Sequence, residues 1–221
     1  MGTLPLAAYS IAYSLEPVCF MLPIGLSTAL SNSVGNQLGA NRVVAAKKLA
    51  ITGIGVGLLV VLLYTALVWL GGDALAAMFT TDPAVLAATR EMWPSFIVFM
   101  FISGPFAMML GLNRGLGLQR ANAACVIGLV WPLGAPLVLF WASTPSNVWQ
   151  ALSVTYTLLV CAMVLCATCS SWELLAQKAM AASDKASQGR GHVPDESEMH
   201  ESSGTRGGLA AADSAKAATT S

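Results

Sequence analysis

The 221-residue chain carries no net charge, and 10% of its residues are charged whereas 56% are hydrophobic. A soluble domain has about a quarter charged residues, so this composition excludes a chain with enough polar surface to fold in water. No block of basic residues is present, which gives no reason to expect a nucleic-acid partner.

The distribution of charge divides the chain into two parts. Asp, Glu, Lys and Arg are absent from Ala121 to Trp172 but recur every few residues from Lys178 onward. We therefore predict a transmembrane domain over residues 1–177 and a polar, disordered cytoplasmic tail over residues 178–221.

Five apolar segments are long enough to cross the hydrocarbon core, which takes about 20 residues in a helix. They lie near residues 4–32, 49–70, 92–112, 121–141 and 148–175. Several contain proline, which a membrane bundle accommodates as a kink because neighbouring helices satisfy the freed backbone groups. The sequence predicts an all-α integral membrane protein with about five transmembrane helices.

The loops between these segments predict their orientation. The first loop carries Arg42, Lys47 and Lys48, and the third carries Arg114 and Arg120. The second loop has one basic residue, the fourth has none, and the start of the tail has three. Under the positive-inside rule the first and third loops are cytoplasmic. The amino end is then outside and the tail is inside, which requires an odd number of spans.

Five tryptophans stand at the predicted ends of spans. They are Trp69, Trp93, Trp141, Trp149 and Trp172. This placement is typical of an interfacial aromatic belt, so we predict that they anchor the helices at the membrane surface and do not form a ligand cage.

Glu16 is the one acidic residue that we expect well inside the hydrocarbon zone. Burial of a carboxylate there is costly, so such residues usually face an internal cavity and serve a function. Pro17 follows directly, and a discontinuous helix with an acid at the break is typical of transport sites. We predict that Glu16 holds and releases a proton or another cation. The alternative is that Glu16 lies near the outer interface and reaches water.

Small residues follow Glu16 at regular intervals. Ser27, Ser31, Gly35 and Gly39 are spaced by four and therefore share one helix face. Gly25 begins a second stripe of small residues beside the first. Such stripes let helix backbones approach closely, so packing is a more ordinary interpretation of them than substrate contact.

Two amides lie close to these stripes. Asn32 and Asn36 stand near the inner end of the first span. We predict that they contribute, with Glu16, to substrate binding or to coupling with a proton or cation.

The region from Pro23 to Lys48 carries the clearest family motif. It reads PIGLSTALSNSVGNQLGANRVVAAKK. This stretch resembles the Pro-x-Gly and Val-Gly-Asn-x-Leu-Gly-Ala motifs of the multidrug and toxic compound extrusion (MATE) transporters, which are also followed by a basic, alanine-rich helix start.

Three further segments resemble the MATE family in the expected order. MFTTDPAV, at residues 78–85, resembles the loop before the next helix of the family. GLNRGLGLQRANA resembles its Gly-x-x-Arg-Gly-x-Gly-x-Gln turn, with Arg114, Gly115 and Gly117 at the motif positions. WPLGAPLVL, at residues 131–139, resembles a later family helix.

The resemblance implies a fold of two six-helix lobes. Residues 4–176 are similar to the last five helices of the carboxyl-terminal lobe of a eukaryotic-type member, so we expect an incomplete six-helix lobe. The missing amino-terminal lobe, or another chain, would then be needed for transport. The membrane would be the plasma membrane or a vacuolar or other endomembrane.

The resemblance also implies an activity. MATE transporters are secondary antiporters that export organic cations, drugs or other xenobiotics in exchange for protons or sodium. We therefore expect a small organic cation as substrate, H⁺ or Na⁺ as coupling ion, and no other cofactor.

The chain departs from the family at one position and leaves two alternatives open. Eukaryotic members usually have an acid about nine positions before the motif proline, where this chain has Ser14. Glu16 lies about 200° around the helix from Ser14, so it does not replace that acid on the same face. One alternative is a truncated or regulatory half-protein that does not transport. The other is a flippase for lipid-linked saccharides from the same superfamily, although the spans lack the basic residues expected of one.

Enzymatic chemistry has no support in the sequence. No serine, cysteine or histidine stands in a recognisable nucleophile–base pattern, and the five cysteines have no metal-ligand spacing. We therefore expect neither an enzyme nor a metal site.

Overall fold

The computed structural model describes residues 2–141 and 143–190. Its helices are α1 (Thr3–Gly39), α2 (Val43–Leu70), α3 (Gly72–Ala77), α4 (Pro83–Gly115), α5 (Gln119–Leu129), α6 (Ala135–Trp141), α7 (Pro145–Cys169) and α8 (Trp172–Arg190). Within the described residues five spans are long and apolar enough to cross a membrane, with α5 and α6 forming one of them. The prediction of an all-α membrane protein with five transmembrane helices is confirmed.

The membrane-crossing helices extend beyond the apolar segments that predicted them. At 1.5 Å per residue, the 37 residues of α1 span about 55 Å, whereas the hydrocarbon core is about 30 Å thick. The added turns are set by caps that hydropathy does not report. The Asp82 side chain accepts from the backbone N–H of Ala84 at the start of α4, and Thr144 accepts from that of Asn147 at the start of α7.

α1 is one continuous helix, which corrects the expectation of a break beside Glu16. Pro17 and Pro23 both lie inside it. Each proline lacks the N–H that would bond four residues back, so each removes one backbone hydrogen bond. The helix continues because the backbone hydrogen bonds on either side of each proline remain. The backbone is therefore not interrupted in a way that would expose its polar groups to lipid.

Both turns at one end of the bundle close in the same way. At the end of α1, Asn41 adopts φ 57°, and the N–H of Arg42 bonds to the carbonyl of Gln37 at 2.8 Å. At the end of α4, Gly117 adopts φ 76°, and the N–H of Leu118 bonds to the carbonyl of Asn113 at 2.8 Å. These are Schellman caps, which place a residue that tolerates the left-handed conformation at motif positions 41 and 117.

The fourth span contains one turn of π-helix. Val130–Gly134 separates α5 from α6, and the N–H of Ala135 bonds to the carbonyl of Val130 five residues back. Pro132 lies inside this turn and cannot donate a backbone hydrogen bond, which is a common reason for such a local change of pitch.

The last span ends earlier than predicted, and a new helix begins. Ser170 has an extended backbone after Cys169, and α8 starts at Trp172. The chain divides into two units after Met180, and the described part of the second unit, residues 181–190, is helical. The boundary predicted at residue 178 therefore falls inside a helix, which the alanine-rich sequence favours. Residues 191–221 of the predicted tail lie outside the described residues.

α1 packs most extensively against α4, with small residues at the contact. Ser27 and Ser31 on α1 are buried. A Cβ added at Gly115 on α4 would lie 2.6 Å from the carbonyl oxygen of Ser31, and one added at Gly111 would overlap the carbonyl oxygen of Ser27. The two helices therefore meet backbone to backbone and run in the same direction. Gly35 continues this contact, because its Cβ position lies 3.6 Å from the Gly115 carbonyl oxygen.

Gly25 and Gly39 do not take part in this packing. A Cβ added at either would meet no atom within 4 Å. Gly25 lies beside the line of Ser27, Ser31 and Gly35, and Gly39 lies on that line one turn beyond Gly35, past the end of α4 at Gly115. Packing within the described bundle therefore does not account for these two glycines. Pro23, by contrast, is buried.

Two of the five tryptophans are buried between helices and do not face lipid, whereas the sequence predicts all five as anchors at the membrane surface. Trp93 is 7% exposed and Trp149 is 2% exposed, and both belong to one hydrophobic cluster inside the bundle. The caps at Asp82 and Thr144 start α4 and α7 well before these residues, so both rings fall on turns that already pack inward. Trp69 and Trp141 remain about half exposed, as an interfacial position requires.

The two ends of the bundle differ in charge. The loop before α2 and the loop after α4 lie at the same end, because Ser31 and Gly35 pack against Gly115, and this end carries the basic residues of both loops. At the other end, Arg90 Nε donates to Asp73 Oδ1 at 2.6 Å between two exposed side chains. This hydrogen bond holds the pKa of the Asp73 carboxyl below its usual value. The stabilisation from the pair is therefore present above that usual pKa and is lost as the pH falls through the lowered one.

Candidate substrate and ion site

Glu16 is half-buried and lies before the middle of α1. Tyr64 on α2 belongs to a buried hydrophobic cluster against which Tyr9 on α1 and Tyr156 on α7 pack. Tyr9 is seven residues before Glu16 and shares its helix face. Glu16 therefore lies on the face of α1 from which Tyr9 packs against this cluster.

Aromatic rings extend from Tyr9 into the bundle. Tyr9 stacks on Trp149 with ring centroids 5.4 Å apart, and Phe96 meets Trp149 edge to face at 4.9 Å. The rings in this chain of contacts are Tyr9, Trp93, Phe96, Phe99, Phe106, Trp149 and Tyr156. The negative faces of aromatic rings attract organic cations, so a carboxylate beside them is chemically suited to such a ligand.

The hydroxyl groups in this region have few other partners. The Tyr64 hydroxyl donates to the carbonyl of Met100 at 3.3 Å. Thr65 Oγ1 and the Nε1 atoms of Trp93 and Trp149 are buried without a hydrogen-bond partner among the described residues. Buried polar atoms without partners are uncommon, and Trp93 and Trp149 belong to the cluster against which Tyr9 packs.

Asn32 and Asn36 do not join Glu16. Both are exposed, and the sixteen positions between Glu16 and Asn32 on one continuous helix correspond to about 24 Å. The structure therefore places the predicted coupling residues in two separate regions. Arg114 is also exposed, in the last turn of α4, where its charge complements the helix dipole.

A second pair of amides, which the sequence analysis did not single out, is buried among α4, α5 and α7. Asn113 is fully buried, and its Nδ2 donates to Asn122 Oδ1 at 2.8 Å and to the carbonyl of Met163 at 3.3 Å. Asn113 Oδ1 has no partner among the described residues. The pair connects three helices, but the unpaired Asn113 oxygen reduces the stabilisation, because a buried polar atom without a hydrogen bond costs free energy.

The sequence contained a weak signal for both of these groups. Tyr64 and Tyr156 lie in the middle of apolar spans and away from the interfacial belt, and a buried tyrosine needs a partner for its hydroxyl. Asn113 and Asn122 lie within motif segments that were interpreted as a turn. Only the packing of the helices shows which of these residues are neighbours.

Comparison with known proteins decides the family. The family model described as MatE matches residues 1–140. The chain belongs to the MATE family. The solved structure of the eukaryotic MATE transporter AtDTX14 has the same fold, with a TM-score of 0.72 and 20% sequence identity over 81% of this chain.

Curated relatives support the same family. Multidrug and toxin extrusion protein 2 of the rabbit, Oryctolagus cuniculus, is 28% identical over 81% of this chain. The human protein of that name is 28% identical over 86% of it. A probable multidrug resistance protein NorM from Pseudomonas aeruginosa is 30% identical over 78% of it.

This MATE chain corresponds to only part of its relatives. The matched region is 30% of the rabbit protein, 32% of the human protein and 37% of the Pseudomonas protein. It covers 41% of the AtDTX14 structure. The chain is therefore a multi-pass membrane protein that corresponds to part of a MATE transporter.

Proposed function

We propose that this chain forms part of a secondary antiporter that exports organic cations in exchange for protons. The observation that carries the proposal is the half-buried carboxyl group of Glu16 on the face of α1 from which Tyr9 packs against the aromatic cluster that contains Trp149. A carboxylate can bind either a proton or an organic cation, but once it is protonated it is neutral and attracts the cation only weakly. That competition is the chemical basis of exchange.

Several features support an organic cation over other substrates. Aromatic faces and a single carboxylate complement a flat, positively charged molecule. The names of the relatives describe multidrug and toxin extrusion, which accords with such a substrate. A saccharide–lipid flippase would need basic residues in the spans for its phosphate groups, whereas the basic residues of the described bundle lie toward its two ends, most of them at the same end.

The five-span bundle would supply one part of the transport pathway. Alternating access in this type of transporter requires two lobes that move about a central site. We infer that the second lobe comes from additional sequence or from another chain, and that these residues correspond to the carboxyl-terminal lobe of a eukaryotic-type member. The basic end of the bundle would face the cytoplasm and the amino end the opposite side.

Proteoliposomes with an acidic interior, which contain this chain together with the second lobe, test the proposal. They should accumulate the fluorescent cation ethidium as protons leave, and nigericin, which collapses the pH gradient, should stop the uptake. Liposomes without protein provide the control. A sodium gradient of the same size, with the higher concentration inside and the same pH on both sides, should drive no uptake. Uptake driven by sodium alone would contradict proton coupling. Absence of gradient-dependent uptake would contradict the antiporter proposal, and uptake by this chain alone would contradict the inferred need for a second lobe.

A further inference from the structure

A groove at the basic end of the bundle is separate from the candidate substrate site. It has a volume of about 540 Å³ and lies between α2, α4, α7 and the start of α8. This volume is within the range of ligand sites in proteins. Its walls are mainly apolar, with Ile51 and Ile54 from α2, Met109 from α4 and Val164 from α7. The groove opens at the surface of the membrane-crossing helices, where a lipid chain can enter it.

The polar end of the groove holds a positioned cation. Lys47 Nζ lies 5.8 Å from the centre of the Trp172 ring, within the range of a cation–π contact. Trp172 is itself fixed, because its Nε1 donates to the carbonyl of Ala167 at 3.1 Å. Among the described side chains no carboxylate lies within ion-pair distance of Lys47.

The charge around this end of the groove is positive. Arg42 and Lys48 are exposed beside Lys47 at the start of α2. Glu173 is the opposing carboxylate on the groove, and it accepts a hydrogen bond from the Ser171 hydroxyl at 3.5 Å. Three basic groups against one acidic group leave a surplus of positive charge where the helices meet the polar interface.

We propose that this groove binds an anionic phospholipid, with one acyl chain along the apolar walls and the phosphate at Lys47. A tryptophan and a lysine at the polar end of an apolar groove match the level of lipid head groups. Basic pockets between membrane helices are suited to anionic head groups. A free anion would leave the apolar walls unused, and a zwitterionic lipid would gain less from the surplus of positive charge.

Native mass spectrometry of the full 221-residue chain in detergent tests this site. We expect phosphatidylglycerol to bind about fivefold more tightly than phosphatidylcholine of the same acyl composition, since one lysine near an anionic surface contributes about 1 kcal/mol. Lys47→Gln should remove that preference. Lys48→Gln is the matched control, because Lys48 is exposed on the same helix end but does not line the groove, and it should retain the preference.

Two further measurements distinguish the groove from general attraction. Val164→Trp, at a partly exposed wall position, should fill the groove and weaken the binding of both lipids. Circular dichroism should show that the helix content of this variant is unchanged. Inorganic phosphate should not displace phosphatidylglycerol, because it cannot occupy the apolar walls. Equal binding of the two lipids, equal losses in Lys47→Gln and Lys48→Gln, or displacement by phosphate would each overturn the proposal. None of these outcomes depends on transport.

Discussion

Glu16→Gln is expected to abolish the pH dependence with which the chain binds an organic cation. In the unaltered protein, a rise in pH removes the proton from Glu16 and leaves a negative charge on the face of α1 that carries Tyr9. Affinity for the cation should therefore increase with pH. Glutamine is neutral at every pH, so the variant should bind weakly throughout. At pH 8 we expect roughly tenfold weaker binding, the effect of losing one interaction with a charged group.

Fluorescence titration of ethidium against detergent-purified protein, at several pH values between 5.5 and 8, measures this effect without requiring transport. Glu91→Gln is the matched control, since Glu91 is an exposed carboxylate near the start of α4 and lies outside the aromatic cluster. It should retain both the affinity and the pH dependence. A Glu16→Gln variant whose affinity still rises with pH would show that another group carries the exchangeable proton.

Gly111→Ala is expected to produce a large loss of stability. The added methyl group would overlap the Ser27 carbonyl oxygen, and a backbone atom cannot move aside as a flexible side chain can. α1 and α4 must then separate along their whole contact. Overpacking of this kind costs about 1–3 kcal/mol. The alanine recovers part of this, because it is a better helix former than glycine by about 1 kcal/mol.

Gly25→Ala provides the control for Gly111→Ala. No atom lies within 4 Å of its added Cβ, so only the gain in helix propensity remains and the variant should be unchanged or slightly more stable. Thermal unfolding in detergent, followed by tryptophan fluorescence, compares the two. The packing of α1 on α4 would be contradicted if both alanine variants melted at the same temperature as the unaltered protein.

The five spans could be predicted from sequence because apolar composition is a local property of each segment. The small-residue face of α1, with Ser27 and Ser31, was also predictable from its spacing of four. Its partner was not, because Gly111 and Gly115 were interpreted as part of a turn motif. Which helix faces another is decided by the packing of all of them, and the spacing within one helix does not contain that information.

The candidate site was predictable only at its acid. Glu16 is conspicuous as a carboxylate in an apolar span, but the cluster near its helix face includes Tyr64 and Tyr156 from other helices. The two buried tryptophans show the same limit. Trp149 stands near a predicted span end, yet α7 begins at Pro145 and its second turn already packs inward. Helix caps shift the position of a residue in the membrane by a turn or more, which hydropathy does not resolve.

Labelling of single cysteines from one side of the membrane tests the central claim that this chain is a five-span bundle with its basic loops at one end. Arg42→Cys, Arg114→Cys and Asp82→Cys would each be placed in a background with the five native cysteines replaced, and exposed to a membrane-impermeant maleimide. The account predicts that positions 42 and 114 react together from the cytoplasmic side and that position 82 reacts from the other. Reaction of positions 42 and 114 from opposite sides would contradict it.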